Sequence, residues 1–437
     1  MRILVAPAKG QVVCVEHGLP RTDQVGGTIL SRSRDRKSGH HRGCYAPSLG
    51  DSRMNEKHVE MRSDAPGSQQ QTLAYWRLQS GHTSSQDFTF LEPLKPTVVF
   101  ETYWRFAAER QAIFFRRLEG RPAPWTDDPI LQQHKFTNAY RASDRVSQYL
   151  IRHVIYEGDP EPEEVFFRTL LFKLFNRIET WNTLKEAVGE IRYRTYAFSA
   201  YDSALSSAVE SGERIYSPAY IMPSGGRIGQ SQRKHQMHLK LLERMMANGL
   251  PRQIQRARSM EEVFGMLRAY PTIGDFLAYQ YATDLNYSPL TNFDEMEFVV
   301  PGPGAKDGIR KCFSDLGGTS ASDTIRAVTE RQDKCFATLA INFTSLWGRP
   351  LQLIDCQNLF CEVGKYARVK HPEFVGITKR ARVKQRFRPK PEIVCYWYPP
   401  KLWRKPRNCF SGSAREAQVP FSIKVLDNSF SVRLTLR

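Results

Sequence analysis

The sequence predicts an all-α fold for residues 93–372, and three observations support this. Apolar residues recur at helical spacing of three and four through most of this range. Short turns that contain glycine or proline separate the periodic segments. Alternation of apolar and polar residues, the signal of a strand, is confined to 421–425 and 430–436 near the end of the chain. A parallel-sheet fold is therefore disfavoured.

Composition indicates a basic, folded chain with a polyanionic partner. The 437 residues carry a net charge of +18, and 41% are hydrophobic. This excess of positive charge favours nucleic acid over a membrane surface as the binding partner. No pair of the eight cysteines has C-x-x-C spacing, so neither a zinc site nor a disulfide framework is expected. With no signal peptide or membrane span recognisable, we expect a soluble intracellular protein, nuclear if eukaryotic.

The first 92 residues differ from the rest of the chain. They lack periodicity and are rich in Ser, Gly, Arg, His, Asp and Gln. Such a composition buries too little apolar surface to offset the entropy of ordering. Residues 1–92 are therefore predicted to be a disordered tail.

Helices are predicted along the ordered part wherever the apolar stripe persists. Their ranges are 98–118, 134–156, 163–177, 181–188, 197–209, 230–246, 261–270, 322–346 and 355–368. The glycine-rich stretch 223–229 is predicted to be a loop. It lacks the Gly-Lys-Ser or Gly-Lys-Thr ending of a phosphate-binding loop, so kinase chemistry by this chain alone is not expected.

Two turns, at 271–278 and 301–305, each lead into a helical segment. Their glycines, Gly274 in the first and Gly302 and Gly304 in the second, allow close approach of the backbone. The start of the following helix offers unpaired N–H groups and a positive dipole end, which together suit a phosphate. Between the turns lie three candidate catalytic carboxylates, Asp294, Glu295 and Glu297. The alternative is two ordinary helix corners with solvated acids between them.

The stretch 134–149 is the densest polar region inside a predicted helix. On one helix, Arg141, Asp144, Arg145 and Gln148 share a face by their spacing. Two guanidinium groups beside a carboxylate and an amide suit a phosphate or pyrophosphate, although the same set also suits a buried network. Similar polar islands in apolar helices add four candidate binding residues: Asn176, Asp355, Gln357 and Asn358.

The segment 373–437 is basic and aromatic. Between 379 and 407 it has eleven Lys and Arg residues against the single acid Glu392, interleaved with Phe, Tyr and Trp. This pattern suits a nucleic-acid backbone with exposed bases. A nuclear-localisation tract or a solubilising tail is an equal alternative.

Several of these motifs resemble one known family, the helical domain associated with hydroxymethyluracil DNA kinases. The matching residues are Phe136-Thr137-Asn138, Tyr140-Arg141, Asp144-Arg145-Val146-Ser147-Gln148-Tyr149-Leu150, Leu174-Phe175-Asn176, Pro301-Gly302-Pro303-Gly304-Ala305, Gly308-Ile309, Asp355-Cys356-Gln357-Asn358 and Glu362. The resemblance covers about residues 95–390. The family is related to the α-glutamyl/putrescinyl thymine pyrophosphorylases of DNA-base hypermodification.

The resemblance implies a fold like that of helix–hairpin–helix DNA glycosylases. Residues 271–278 are then the hairpin, with Gly274 at its tip on a DNA phosphate. Asp294 stands about twenty residues later, where glycosylases carry a catalytic Asp, and Glu295 or Glu297 are alternatives. The helix after the hairpin has no Lys in its first turn, which is a departure that argues against a Schiff-base lyase.

The resemblance also implies a function. The chain would bind DNA and act on a base derived from hydroxymethyluracil, such as its pyrophosphorylated form, after that base has left the stack. Arg141 and Arg145 would stabilise the departing pyrophosphate. The activity would be that of a transferase or pyrophosphorylase, with no cofactor and no metal. The alternatives are a catalytically silent reader of modified DNA and a glycosylase-like excision enzyme. DNA is the expected partner, and the oligomeric state is open.

Overall fold

A computed structural model describes residues 85–218, 222–223, 233–389 and 396–403, together with the backbone of Val12–Val13. The strands predicted after 420 and most of the loop predicted at 223–229 lie outside the described residues. So does most of the predicted disordered tail 1–92, but its boundary is corrected at the described end, where Ser85–Leu91 form a 3-10 helix and Phe88 and Leu91 are buried. In the described part the protein is mainly helical, as predicted.

Fourteen α-helices account for most of the described chain. They are α1 (Val98–Leu118), α2 (Pro129–Gln133), α3 (Arg145–Tyr149), α4 (Pro162–Phe175), α5 (Ile178–Val188), α6 (Phe198–Glu210), α7 (Lys234–Ala247), α8 (Leu250–Arg256), α9 (Met260–Arg268), α10 (Asp275–Asn286), α11 (Pro303–Cys312), α12 (Ala321–Glu330), α13 (Gln332–Thr338) and α14 (Leu353–Lys370). Short 3-10 segments occur at Ser85–Leu91, Arg141–Ser143 and Pro400–Trp403.

Four two- or three-residue strands make up the described β-structure. They are β1 (Val12–Val13), β2 (Lys95–Pro96), β3 (Phe313–Asp315) and β4 (Tyr396–Trp397). Strand β1 pairs antiparallel with β4, and β2 pairs antiparallel with β3. Ladders of this length do not form a separate layer.

Helices α4 and α10 form the centre of the core. From Glu164 onward every residue of α4 is buried, and α10 is buried from Leu277 to its end. A helix that is apolar nearly all round has to be enclosed by other elements, and both sequences meet that condition. The charged or amide side chains within these buried stretches, such as Lys173 and Asp284, are consequently forced into the interior.

The predicted helix at 134–156 is interrupted in the structure. The chain from Lys135 to Ala139 is not helical, Asp144 has an extended backbone with ψ of 144°, and a π-helix follows α3 at Leu150–Ile155. Arg141 therefore precedes the break, while Arg145 and Gln148 follow it. The prediction that these residues share one helix face is wrong, because that spacing holds only on a continuous helix.

The predicted helix at 322–346 is shorter and divided. It consists of α12 and α13, with Arg331 between them, and it ends at Thr338. Ala340 then has a positive φ of 50°, outside the helical region. Apolar residues continue at helical spacing past this point, so the pattern alone overestimated the length of the helix.

Helices α11 and α14 approach each other closely through glycines. A Cβ on Gly308 would lie 1.8 Å from the carbonyl oxygen of Phe360, and one on Gly304 would lie 2.3 Å from Cys361 Sγ. Gly364 in turn faces the backbone of Gly308. Only glycine permits this backbone-to-backbone contact.

A short turn, residues 269–274, connects α9 to α10. Thr272 in this turn has a positive φ of 70°, and Gly274 caps α10 with an extended backbone. A helix, a tight turn and a second helix are the local elements that the resemblance implied. The likeness to the glycosylase fold as a whole stays a prediction.

Candidate functional site

A buried ionic cluster joins three separate parts of the chain. Arg141 Nη2 lies 2.8 Å from Asp284 Oδ1, and Lys173 Nζ lies 3.0 Å from Asp284 Oδ2. All three side chains are at most 4% exposed. Two cations therefore share one carboxylate away from water, where electrostatic interactions are strong and unpaired charges are costly.

Local structure explains how the cluster is held. Asn176 ends α4 in the left-handed conformation, with φ of 49°, which asparagine tolerates better than most residues. Its Oδ1 accepts a hydrogen bond of 2.8 Å from Lys173 Nζ. Burial lowers the pKa of Lys173, and the charge of Asp284 opposes that shift. The ammonium group of Lys173 is thus held by two partners, the carboxylate of Asp284 and the amide oxygen of Asn176.

Gln280 lies one turn before Asp284 on α10 and completes this arrangement. Its Oε1 accepts a hydrogen bond of 3.1 Å from Arg141 Nε, which fixes the orientation of the amide. Its Nε2 is buried and has no hydrogen-bond partner among the described residues. A buried donor without a partner costs free energy, so it marks a place where a ligand acceptor would be favourable.

Asp355 links Arg141 to helix α14. Its Oδ1 accepts the backbone N–H of Arg141 at 2.7 Å, and its Oδ2 accepts that of Gln352 at 3.0 Å in a capping box. Burial raises the pKa of Asp355 to about 6, the nearby charge of Glu295 adds to this, and Arg349 opposes it. Glu295 itself is ion-paired with Arg349, and both are largely buried.

A second polar group lies nearer the surface, around residues 137 and 138. The backbone N–H of Asn138 donates to Asp144 Oδ1 at 2.8 Å, and that of Thr137 donates to Glu362 Oε2 at 3.1 Å. Arg110 donates to the carbonyl of Thr137 and to the side chain of Asn138, each at 2.9 Å. Two carboxylates and a guanidinium are therefore assembled on one short extended segment.

Asp144 has the most strongly shifted carboxyl group in this region. Burial raises its pKa to about 7, the charge of Glu362 adds to the shift, and the N–H of Asn138 and Arg110 oppose it. The folded protein consequently binds a proton there that the unfolded chain releases near pH 4. The contribution of Asp144 to stability is present at low pH and is lost as the pH rises to about 7.

Asp144→Asn is expected to weaken this pH dependence. An amide keeps the acceptor for Asn138 and carries no charge, so the free energy of unfolding should fall less between about pH 4 and 7. The slope removed is at most about 1.4 kcal/mol per pH unit. Denaturant unfolding at several pH values measures it. Asp127→Asn, at an exposed position, should keep the wild-type profile, and an unchanged profile in Asp144→Asn would contradict the assignment.

The predicted catalytic carboxylates have three different environments. Asp294 is half-buried, and its Oδ1 accepts the N–H of Met296 at 2.9 Å within its own turn. Glu297 is exposed, and its carbonyl accepts a hydrogen bond of 2.6 Å from Arg326. Of the three, Glu295 is the one whose charge acts on Asp355, which binds the backbone of Arg141.

The remaining residues of the predicted clamp are also separated. Gln148 Oε1 accepts the backbone N–H of Trp397 at 2.7 Å, so this amide holds a C-terminal segment. Arg145 is half-buried and lies near Glu179. The structure therefore does not bring Arg141, Asp144, Arg145 and Gln148 into one clamp.

The glycines of the two turns occupy contrasting places. Gly274 borders an open groove of about 540 Å³ that is also lined by Arg244, Arg268 and Thr272, and a Cβ there would meet nothing within 4 Å. Gly302 lies in a helix contact, where a Cβ would be 2.6 Å from Phe276. Of the two turns, the one that contains Gly274 is therefore the more accessible, because it borders the groove with two arginines.

The last two predicted residues lie on α14. Gln357 is buried beside Gly302, and its Oε1 has no hydrogen-bond partner among the described residues. Asn358 is half-buried. Within the same described part of the chain, no group of three His, Cys, Asp or Glu side chains is placed to hold a metal ion.

Sequence reasoning missed several members of the site. Lys173 and Asp284 were not selected, although each is a charged residue inside an otherwise apolar helix, and that signal was present in the sequence. Arg110, Gln280 and Arg349 carried no comparable local signal. They are recognisable only once the helices are packed.

Three motif-bearing stretches that are far apart in sequence thus meet at one place. Segment 136–150 contacts α14 twice, through Arg141 with Asp355 and through Thr137 with Glu362. It also meets the end of α4 through Asp284, which binds both Arg141 and Lys173. Of the residues that carry the family resemblance, Arg141, Asn176 and Asp355 contribute to this buried cluster, which we name the charged centre and whose other members are Lys173 and Asp284.

Comparisons with known proteins agree with this pattern. Residues 97–376 match the family described as "5-hmdU DNA kinase, helical domain". A curated 5-hmdU DNA kinase of Bacillus phage SP10 is 29% identical over 302 residues, which are 63% of this chain and 46% of that protein. The chain thus spans about half the length of this relative. No solved structure matches. Among the described residues, no helix is both long enough and apolar enough to cross a membrane.

Proposed function

This chain belongs to the family of 5-hmdU DNA kinase helical domains, and we propose that it binds DNA containing 5-hydroxymethyluracil or a phosphorylated form of that base. In this proposal the modified base leaves the stack and enters the region of the charged centre, where it is modified further. The observation that carries the proposal is the convergence of the three motif-bearing stretches on Arg141, Lys173 and Asp284.

Helix α10 supports the proposal because it connects an accessible surface to that centre. It begins at Gly274, beside the open groove with Arg244 and Arg268, and it carries Gln280 and Asp284 inward. At 1.5 Å per residue, Gln280 lies about 9 Å along the axis from Gly274. Backbone phosphates would be bound at the groove by the arginines and the helix start. A base displaced from the duplex would extend toward Gln280.

Gln280 supplies a group that suits the 5-substituent of the modified base. Its buried Nε2 is a donor without a partner among the described residues, and the oxygen of the 5-hydroxymethyl group, which thymine lacks, is an acceptor. Arg141 prevents the amide from turning, because it already donates to Oε1. The protein would therefore recognise an oxygen of the base and not an amino group.

Glu295 is the carboxylate that we favour for chemistry at the 5-substituent. It is largely buried beside the centre and its charge acts on Asp355. In a displacement, the C–O bond to the pyrophosphate breaks and a bond from an incoming amine forms, while the amine proton passes to the carboxylate. Asp294 and Glu297 are alternatives that lie nearer to solvent.

The test compares duplexes that differ in one base. A duplex with one 5-hydroxymethyl-deoxyuridine should bind the full chain more tightly than the same duplex with thymidine, as measured by fluorescence anisotropy. Gln280→Glu keeps the acceptor for Arg141 and removes the donor, so the preference should fall by about tenfold or more. The matched variant Gln132→Glu changes an exposed glutamine and should retain it.

The outcomes separate the parts of the proposal. Equal affinity of the wild-type protein for both duplexes would contradict recognition of the modified base. Absence of binding to either duplex would contradict the function as a whole. A preference that survives in Gln280→Glu would contradict the role of this amide alone.

A catalytically silent reader is the second candidate, and one observation favours it. The guanidinium of Arg141 is enclosed by Asp284, Gln280 and the ring of Tyr287, which leaves it closed to a pyrophosphate in this conformation. A reader would bind the modified duplex selectively without altering it. Nucleoside analysis by mass spectrometry, after incubation of phosphorylated 5-hydroxymethyluracil DNA with amines, distinguishes the two candidates.

A further inference from the structure

Residues 396–403, which we name the clasp, lie against the helical domain although they follow the end of the family match at residue 376. Tyr396, Tyr398 and Leu402 are buried. The backbone N–H of Trp397 donates to Gln148 Oε1 at 2.7 Å. The hydroxyl groups of Tyr398 and Ser143 are 2.8 Å apart. This part of the basic, aromatic segment, for which the sequence left nucleic-acid binding, nuclear localisation and a solubilising tail open, is therefore docked.

Aromatic contacts hold the clasp to three different parts of the domain. The ring pairs and the distances between their centroids are Tyr396 with Phe114 at 4.9 Å, Trp397 with Tyr156 at 4.6 Å and Tyr398 with Trp347 at 5.8 Å. Such pairs stabilise a contact beyond the effect of the area they bury. Specific side-chain contacts thus determine where the clasp lies on the helical domain.

Lys401 joins the clasp to the loop 287–302, which follows α10 and carries Glu295. Its Nζ donates to the carbonyl of Thr291 at 2.7 Å and to the carbonyl of Ser288. On the other side, Arg349 is paired with Glu295 and also donates to the carbonyl of Leu402. The clasp, the loop and Arg349 consequently form one connected unit.

We propose that the clasp is a built-in part of the candidate site, in which Lys401 is a positioning residue that holds the loop 287–302 and so keeps Glu295 against Arg349. When the clasp is docked, Glu295 is fixed beside the charged centre. When it is released, the loop loses both carbonyl anchors, and Arg349 loses its second partner. Docking of the C-terminal segment therefore controls the geometry of the site.

The charged groups around Lys401 make its docking depend on pH. Burial lowers the pKa of Lys401 to about 7, and the charge of Glu295 opposes the shift. The other charged or titratable groups of this region are Arg349, Asp355 and Tyr287, which all interact with Glu295. In a released clasp, Lys401 would regain its ordinary pKa near 10.4.

The sign of the effect follows from these values. Between about pH 7 and pH 10, the released form holds a proton on Lys401 that the docked form lacks. Docking should therefore strengthen as the pH rises through this window, by up to about tenfold per pH unit. Below about pH 7 both forms are protonated, and Lys401 contributes no further change.

Hydrogen–deuterium exchange of the full chain measures the opening of the clasp. After correction for intrinsic exchange rates, protection of residues 396–403 should rise with pH above 7 in the wild-type protein. Lys401→Met keeps the length of the side chain without the charge, so its protection should be independent of pH over this window. Lys384→Met changes an exposed lysine of the same basic stretch and should behave as the wild type does.

The possible results either support or overturn the proposal. The same pH slope in the wild type and in Lys401→Met would overturn it, as would a clasp that exchanges freely in the wild type. If Lys401→Met does not fold, Lys401→Arg provides the test, because a permanent charge should hold the clasp at the low-pH protection of the wild type at every pH. The exchange measurement needs no DNA, so its failure is distinguishable from a failure of the proposed DNA function.

Discussion

Asp284→Ala is expected to lower the free energy of unfolding by about 3–5 kcal/mol, the loss typical when one partner of a buried ion pair is removed. Arg141 and Lys173 would remain in the interior without the carboxylate that they share. Desolvation of two cations would then be uncompensated. Chemical denaturation followed by circular dichroism measures the loss.

Asp275→Ala is the matched control, since it lies on the same helix, α10. Its carboxylate pairs with Arg268, but both side chains are more than half exposed. Water screens such a pair, so the expected loss is at most about 1 kcal/mol. If the two variants were equally stable, Asp284 would not be the group that compensates the buried cations.

Gly308→Ala is the second change with a large expected effect. The added Cβ would lie 1.8 Å from the carbonyl oxygen of Phe360, and this neighbour is backbone, which has no rotamer to change. Helices α11 and α14 would have to separate, at a cost of about 1–3 kcal/mol or more. Thermal unfolding measures the effect. Because α14 carries Asp355 and Glu362, we also expect weaker binding of modified DNA.

Gly265→Ala is the control for this prediction. Gly265 is an exposed position within α9, and a Cβ there would meet nothing within 4 Å. Alanine reduces the conformational entropy of the unfolded chain, so a gain of about 0.5–1 kcal/mol is expected. A loss of similar size in both variants would mean that the close approach of α11 and α14 is not what Gly308 provides.

Local sequence was sufficient to predict the helical class and many of the helices. Helix α1 was predicted with its observed ends at 98 and 118, and Ser259 caps α9 through a hydrogen bond to the N–H of Glu262. Residues close in sequence decide such features, through periodicity and capping. The resemblance to the family rested on contiguous motifs, and the match over residues 97–376 confirms it.

The same local reasoning failed where distant residues decide the structure. Asp144 has an extended backbone, and its carboxylate accepts the N–H of Asn138 and not a partner one helical turn away. This contact, together with Arg110 and Glu362 from other helices, favours a break that periodicity does not reveal. Side chains chosen for a common helix face therefore separated into different sites.

The sequence by itself determined that this protein is a mainly helical member of its family, because helical periodicity and contiguous motifs depend on near neighbours. Only the tertiary structure decided which of its many polar residues meet. Asp284 lies far along the chain from both Arg141 and Lys173, yet it binds both, because burying α4 and α10 forces their charged side chains to pair with each other. The docking of Lys401 beside Glu295 has the same origin, since a buried ammonium group has to find acceptors wherever the fold provides them.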